Sequence, residues 1–86
     1  MPEAGVSPGE LAWRCRRGMR ELDELLGGWL REHYGAAGGA TQADFRAFLE
    51  LPDPEIASYL LGRSVPAEHR FQALIARILA HRPAVS

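Results

Sequence analysis

Two stretches of this chain repeat one apolar spacing, and that spacing restricts the folds open to it. Leu22, Leu25, Leu26, Trp29 and Leu30 recur at i, i+3, i+4, i+7 and i+8, and Phe71, Leu74, Ile75, Ile78 and Leu79 do the same towards the C-terminal end. Residues so spaced fall on one face of an α-helix and nowhere coherent on a strand. Strand-like alternation is absent and β-branched residues are few. The fold class is therefore all-α, with each helix burying one stripe against its neighbours.

Start and stop signals divide the chain into five helices. In "SPGE", Ser7 as cap, Pro8 at the first helical position and Glu10 closing a capping box predict a helix from about Pro8 to Arg17. The leucine-rich segment predicts a second from about Met19 to Tyr34, stopped by Gly35 and the "GAAGGA" loop. Thr41 with Asp44 marks a short third helix with Phe45, Phe48 and Leu49 inward. Asp53 as cap and Pro54 open a fourth, with Ile56, Tyr59 and Leu60 inward until Gly62, and Pro66 opens a fifth that ends before Pro83. Eighty-six residues suffice for one domain with one modest core. The expected architecture is a compact five-helix bundle, with residues 1–7 and 82–86 as flexible ends.

Several function classes are disfavoured at this level. Ten arginines, with no lysine, against eleven acids leave a net charge of -1, so the molecule as a whole does not attract phosphate polymers. The single cysteine, Cys15, forms no intrachain disulfide, which fits a reducing compartment, and is expected in the core. No apolar run approaches the roughly eighteen residues of a membrane span, and "MPEAGVSP" lacks the marks of a targeting segment, so the expected location is cytoplasmic. His33, His69 and His81 fall on three helices without nucleophile or zinc-ligand spacing. His81 is placed to offset the dipole of the last helix. Trp29 belongs to the core, whereas Trp13 lies off the apolar seam and either packs on the bundle or touches a partner.

The most charged stretch, "WRCRRGMRELD", holds four arginines and a glycine in a helix-like context. Glycine in a helix interior costs about 1 kcal/mol relative to alanine. In one continuous helix Gly18 would share a seam with Leu11, Cys15, Leu22, Leu25 and Trp29. Arg16, Arg20 and Asp23 would face solvent, and Arg14, Arg17 and Glu21 would sit beside the glycine. Two readings use these residues. One is close helix packing at Gly18 with a surface salt-bridge ladder of about 0.3–0.5 kcal/mol per pair. The other is a recognition corner, where the glycine admits a partner's backbone beside a guanidinium and a carboxylate. Spacing alone does not choose between them.

The words "CRRGMRELD" resemble the signature of the SdhE family of flavinylation factors, known in mitochondria as succinate dehydrogenase assembly factors. The Arg-Gly-x-x-Glu hallmark is matched by Arg17, Gly18 and Glu21, and the resemblance runs from about Leu11 to Ile78 through "FLELPDPEIASYLL". It implies a five-helix, non-enzymatic protein that binds the flavoprotein subunit of succinate dehydrogenase, and often that of fumarate reductase, and promotes covalent attachment of FAD to a client histidine. On this resemblance Gly18 permits close approach, Arg17 and Glu21 make polar contacts with the client, and Arg16, Met19, Arg20 and Asp23 shape the rim. It implies no catalytic residue, no metal and no tightly bound cofactor, since FAD belongs to the client. The chain is then expected to be monomeric, without membrane insertion or nucleic-acid binding. The alternative is a small helical protein- or nucleic-acid-binding module using the Arg14–Arg20 cluster. A phosphate-tracking surface is one-sided, whereas these arginines fall on opposing faces of the helical wheel.

Overall fold

The computed structural model describes residues 8–80, and within them five α-helices follow in order: α1 (Pro8–Arg14), α2 (Arg20–Trp29), α3 (Gly39–Phe48), α4 (Asp53–Leu60) and α5 (His69–Ala80). A π-helical turn, Leu30–Tyr34, extends α2 without a break. The expected second helix thus reaches Tyr34 in two windings. No strand occurs among the described residues. The expectations for Ser7, His81, Pro83 and the two chain ends fall outside them.

The repeated spacing becomes the core. Leu22, Leu26, Phe45, Phe48 and Ile56 are fully buried, and Leu74 and Ile78 of α5 join them. α5 packs against α2, α3 and α4, so its apolar stripe is the common wall of the bundle. Trp29 meets Phe45 at 4.9 Å between ring centroids and Tyr34 meets Phe45 at 5.6 Å, while Phe48 meets Phe71 edge-on at 5.5 Å. Such pairs add about 0.5–1.5 kcal/mol beyond the burial of their area. The π-turn places Tyr34 where its hydroxyl accepts from Arg46 at 2.7 Å and its carbonyl accepts from Gln42 at 2.7 Å. The end of the second helical unit is thereby tied to α3.

Three helix starts differ from the sequence reading. Thr41 lies inside α3, whose N-cap is Gly38; the tether from Gln42 to Tyr34 draws the helix start back into the glycine tract. Pro52 occupies the N-cap of α4 and Asp53 is its first residue, because the Asp53 carboxylate is engaged by an arginine from another element. Pro66 does not open α5. It is buried in the preceding loop, its carbonyl accepts from the Gln72 side chain at 2.8 Å, and the helix begins at His69. Gly62 ends α4 as expected, with φ +78°, the left-handed conformation that glycine adopts without a Cβ clash.

Phe45 touches both aromatic neighbours and has no exposure, so Phe45→Ala is expected to lower unfolding free energy by about 3–5 kcal/mol. Glu24→Ala, on the exposed face, should stay within about 0.5 kcal/mol. Urea titration followed by circular dichroism measures both. Equal effects would contradict the placement of the core.

Candidate functional site: the Gly18 corner

The continuous-helix arrangement of the charged segment is not what forms. α1 ends at Arg14, and the amides of Cys15 and Arg16 close a last tight turn on Leu11, Ala12 and Trp13. Gly18 then takes φ +82°, which turns the chain before α2 starts at Arg20. Any residue with a Cβ is strained in that conformation. Gly18 is exposed, and a Cβ built on it meets nothing within 4 Å. It is therefore not wedged beneath a helix. Breaking the chain there also lets Leu11 and Cys15 enter the same core as Leu22 without a straight helix between them.

The side chains around the break divide into a fixed base and an open face. Arg17 is the base. Its side chain is only 16% exposed, it donates to Asp53 Oδ1 at 3.0 Å and to the Leu49 carbonyl, and its backbone amide donates to Asp23 Oδ1 at 2.6 Å. The Nε of Arg17 is buried without an acceptor among the described residues. The expected outward guanidinium, offered to the client beside Glu21, does not form: Arg17 turns inward because a carboxylate and a helix-end carbonyl from α3 and α4 lie beneath it. Asp23, half-buried, acts on the backbone instead of shaping a rim.

The open face carries Gly18, Met19, Arg20 and Glu21, with Trp13 and Arg16 on the α1 side. Glu21 is exposed in the first turn of α2 and has no ion pair among the described residues. The positive end of the helix dipole favours its carboxylate there. Trp13 is 70% exposed and Met19 41%, two of the three large apolar side chains that face solvent among the described residues. The alternative of Trp13 packed on the bundle does not occur; Arg16 lies over its ring at 5.8 Å. Trp13, Arg14, Arg16, Arg17, Leu49 and Glu50 line a shallow open groove of about 330 Å³.

Charge in the segment is largely compensated. Arg14 bridges Glu10 at 2.9 Å and Glu50 at 3.2 Å, Arg17 pairs with Asp53, and Arg20 approaches Glu24 at 3.5 Å. The four arginines form no uncompensated cationic stripe of the kind that tracks phosphates. Among the described residues no group of three or more His, Cys, Asp and Glu side chains could hold a metal, and no helix is long and apolar enough to cross a membrane.

Comparison with known proteins bears on the same segment. The family model described as "Flavinator of succinate dehydrogenase", Sdh5, matches residues 9–82. The chain belongs to the Sdh5 family. Proteins called FAD assembly factor SdhE are similar to it along most of their length. The Xylella fastidiosa (strain 9a5c) protein is 39% identical over 83% of this chain and 73% of its own. That of Coxiella burnetii is 35% identical over 80% of this chain and 84% of its own, and that of Vibrio parahaemolyticus 32% identical over 83% of each. No solved structure gave a significant match.

Within this Sdh5-family chain the residues that the motif omits are as informative as those it contains. Asp53 and the Leu49 carbonyl, 36 and 32 residues from Arg17, complete the base. No local spacing points to them, since the pairing joins separate helices. Cys15, beneath the corner, is buried, and its thiol is pushed up to about 11, chiefly by burial; nearby Arg17 lowers it and Asp23 raises it. At pH 8 the folded protein then holds only about a thousandth of this thiol as thiolate. An aromatic disulfide reagent at pH 8 should label Cys15 at an appreciable rate only after unfolding. Fast labelling of the native protein would contradict its burial.

Proposed function

We propose that this chain binds the flavoprotein subunit of succinate dehydrogenase through the Gly18 corner and promotes covalent attachment of FAD to that subunit. The family assignment supports the enzyme system, and the SdhE relatives are by name FAD assembly factors. The observation that carries the site is the pairing of an open, left-handed glycine with the exposed Glu21 carboxylate at the start of α2. Gly18 gives a client backbone room to approach. Glu21 offers a charge-assisted acceptor to a client N–H or cation. Met19 and Trp13 supply apolar area, and Arg16 and Arg20 flank the contact.

In this reading the flavin is the client's cargo, and the helper contributes shape and charge, not chemistry. Attachment needs the client histidine and the flavin ring held in line. A helper that binds the aligned client conformation more tightly than others raises its population by its differential affinity. Arg17 serves this by keeping the base of the corner fixed, so that the bound geometry exists before the client arrives.

Co-expression of the client subunit with variants of this chain tests the proposal, with covalent flavin read as fluorescence retained after denaturing electrophoresis. Gly18→Arg places a long side chain in the approach path and strains the backbone by about 1–2 kcal/mol. Glu21→Lys reverses the exposed charge at little cost to folding. Both are expected to lower the rate of covalent flavin formation by more than about tenfold, as loss of a desolvated charged contact does, while circular dichroism shows the helices intact. Wild-type flavin levels with folded Glu21→Lys and Gly18→Arg proteins would remove the corner from the function.

A further inference from the structure

The Arg-Gly-x-x-Glu segment does not hold its own shape. Close in sequence, the Arg17 amide bonds the Asp23 side chain, the Met19 carbonyl accepts from the Asp23 amide, and Gly18 has the conformation that permits the turn. The long-range contacts that fix it come from the α3–α4 connection. The Arg17 guanidinium crosses from the turn to Asp53 at the first position of α4 and to the carbonyl of Leu49, one residue beyond the end of α3. The guanidinium fork suits this double engagement, since one Nη serves each acceptor. Its Nε meanwhile lies buried without an acceptor among the described residues, an arrangement unfavourable for stability alone. Asp53 is the first residue of α4, and its carboxylate accepts from the Arg17 guanidinium of the turn at 3.0 Å.

We infer that Asp53 is a positioning residue for the recognition corner: through Arg17 it holds the Gly18 turn in its binding-competent conformation, although it lies outside the motif and on a different helix. The inference rests on the corner being the client-binding surface. Without the clamp, the bond from the Arg17 amide to Asp23 is left to hold the turn, and the exposed Gly18 faces open space where a Cβ would be. The turn then samples many states, and the apparent affinity for a client falls by the fraction that remains competent. The rate at saturating helper is unchanged, because the client-facing groups are all present. A residue that only stabilised the bundle would instead reduce the folded fraction and leave the half-saturating concentration of folded helper where it was.

Asp53→Asn removes the charge and keeps the shape, Asp53→Glu keeps the charge, and Glu21→Lys alters the open face alone. Two readouts separate the possibilities: hydrogen exchange of individual amides in the free protein by NMR, and flavinylation rate against concentration of folded helper. In Asp53→Asn the Arg17 amide should lose protection by about tenfold or more while the Phe45 and Leu74 amides keep theirs. The half-saturating concentration should rise about tenfold at an unchanged maximal rate, with part of the loss restored in Asp53→Glu. Glu21→Lys should leave the Arg17 amide protected and still lower the flavinylation rate by more than about tenfold. Unaltered Arg17 protection in Asp53→Asn overturns the positioning role. So does an unaltered half-saturating concentration while Glu21→Lys is slowed. If Arg17 protection falls in Asp53→Asn but Glu21→Lys flavinylates normally, the clamp stands and the corner's role in client binding fails.

Discussion

The turn of the chain at Gly18 governs the rest of the molecule. Leu11 and Cys15 on one side of it and Leu22, Leu25 and Leu26 on the other belong to one core, yet a straight helix through all of them would leave no turn for the motif to present. A left-handed glycine resolves this with a short connection between α1 and α2. The break frees backbone groups that a helix would have satisfied, and Asp23 accepts from one of them, the Arg17 amide. The same carboxylate sits near the Cys15 thiol, which the surrounding apolar packing keeps protonated. A left-handed glycine, a polar anchor and a buried seam therefore meet within a few residues.

The helical class, the existence of five helices and most of the core were legible because they depend on periodicity. Leu22, Leu25, Leu26 and Trp29, and Phe71, Leu74, Ile75 and Ile78, are buried as their spacing requires. Helix boundaries were less legible, for reasons that lie outside the local sequence. Asp53 has the residue type and position of a cap, but an arginine 36 residues earlier claims its carboxylate. Thr41 looks like a start signal, yet Gln42 and Tyr34 draw α3 back to Gly39. Pro66 suits a first helical turn by conformation and is instead buried in a loop that Gln72 holds by its carbonyl. In each case a tertiary contact outcompeted a local preference worth about 1 kcal/mol.

The candidate site was half legible. Gly18 and Glu21 are exposed, as a recognition surface demands. The spacing of Arg17, four residues before Glu21, suggested a pair on one helical face, but no helix spans that interval and the two side chains diverge. The motif thus mixes two roles, an anchor that faces inward and groups that face outward. Nearby charges follow the same economy of purpose: Arg14 is committed to Glu10 and Glu50, and Arg20 to Glu24. What remains exposed at the corner is shape, two apolar side chains, the Glu21 carboxylate and the flanking Arg16 and Arg20, a mixed-sign combination suited to a specific protein surface and poorly suited to a polyanion.

The central claim, that this corner is where the client docks, is tested most directly by an exchange footprint. Hydrogen–deuterium exchange of this chain would be compared with and without the flavoprotein subunit of succinate dehydrogenase bound. The account predicts slowed exchange across residues 16–23, with the loop around Val65, the other exposed large apolar side chain among the described residues, unchanged. Slowed exchange confined to the Val65 loop, with residues 16–23 exchanging as in the free protein, would contradict it.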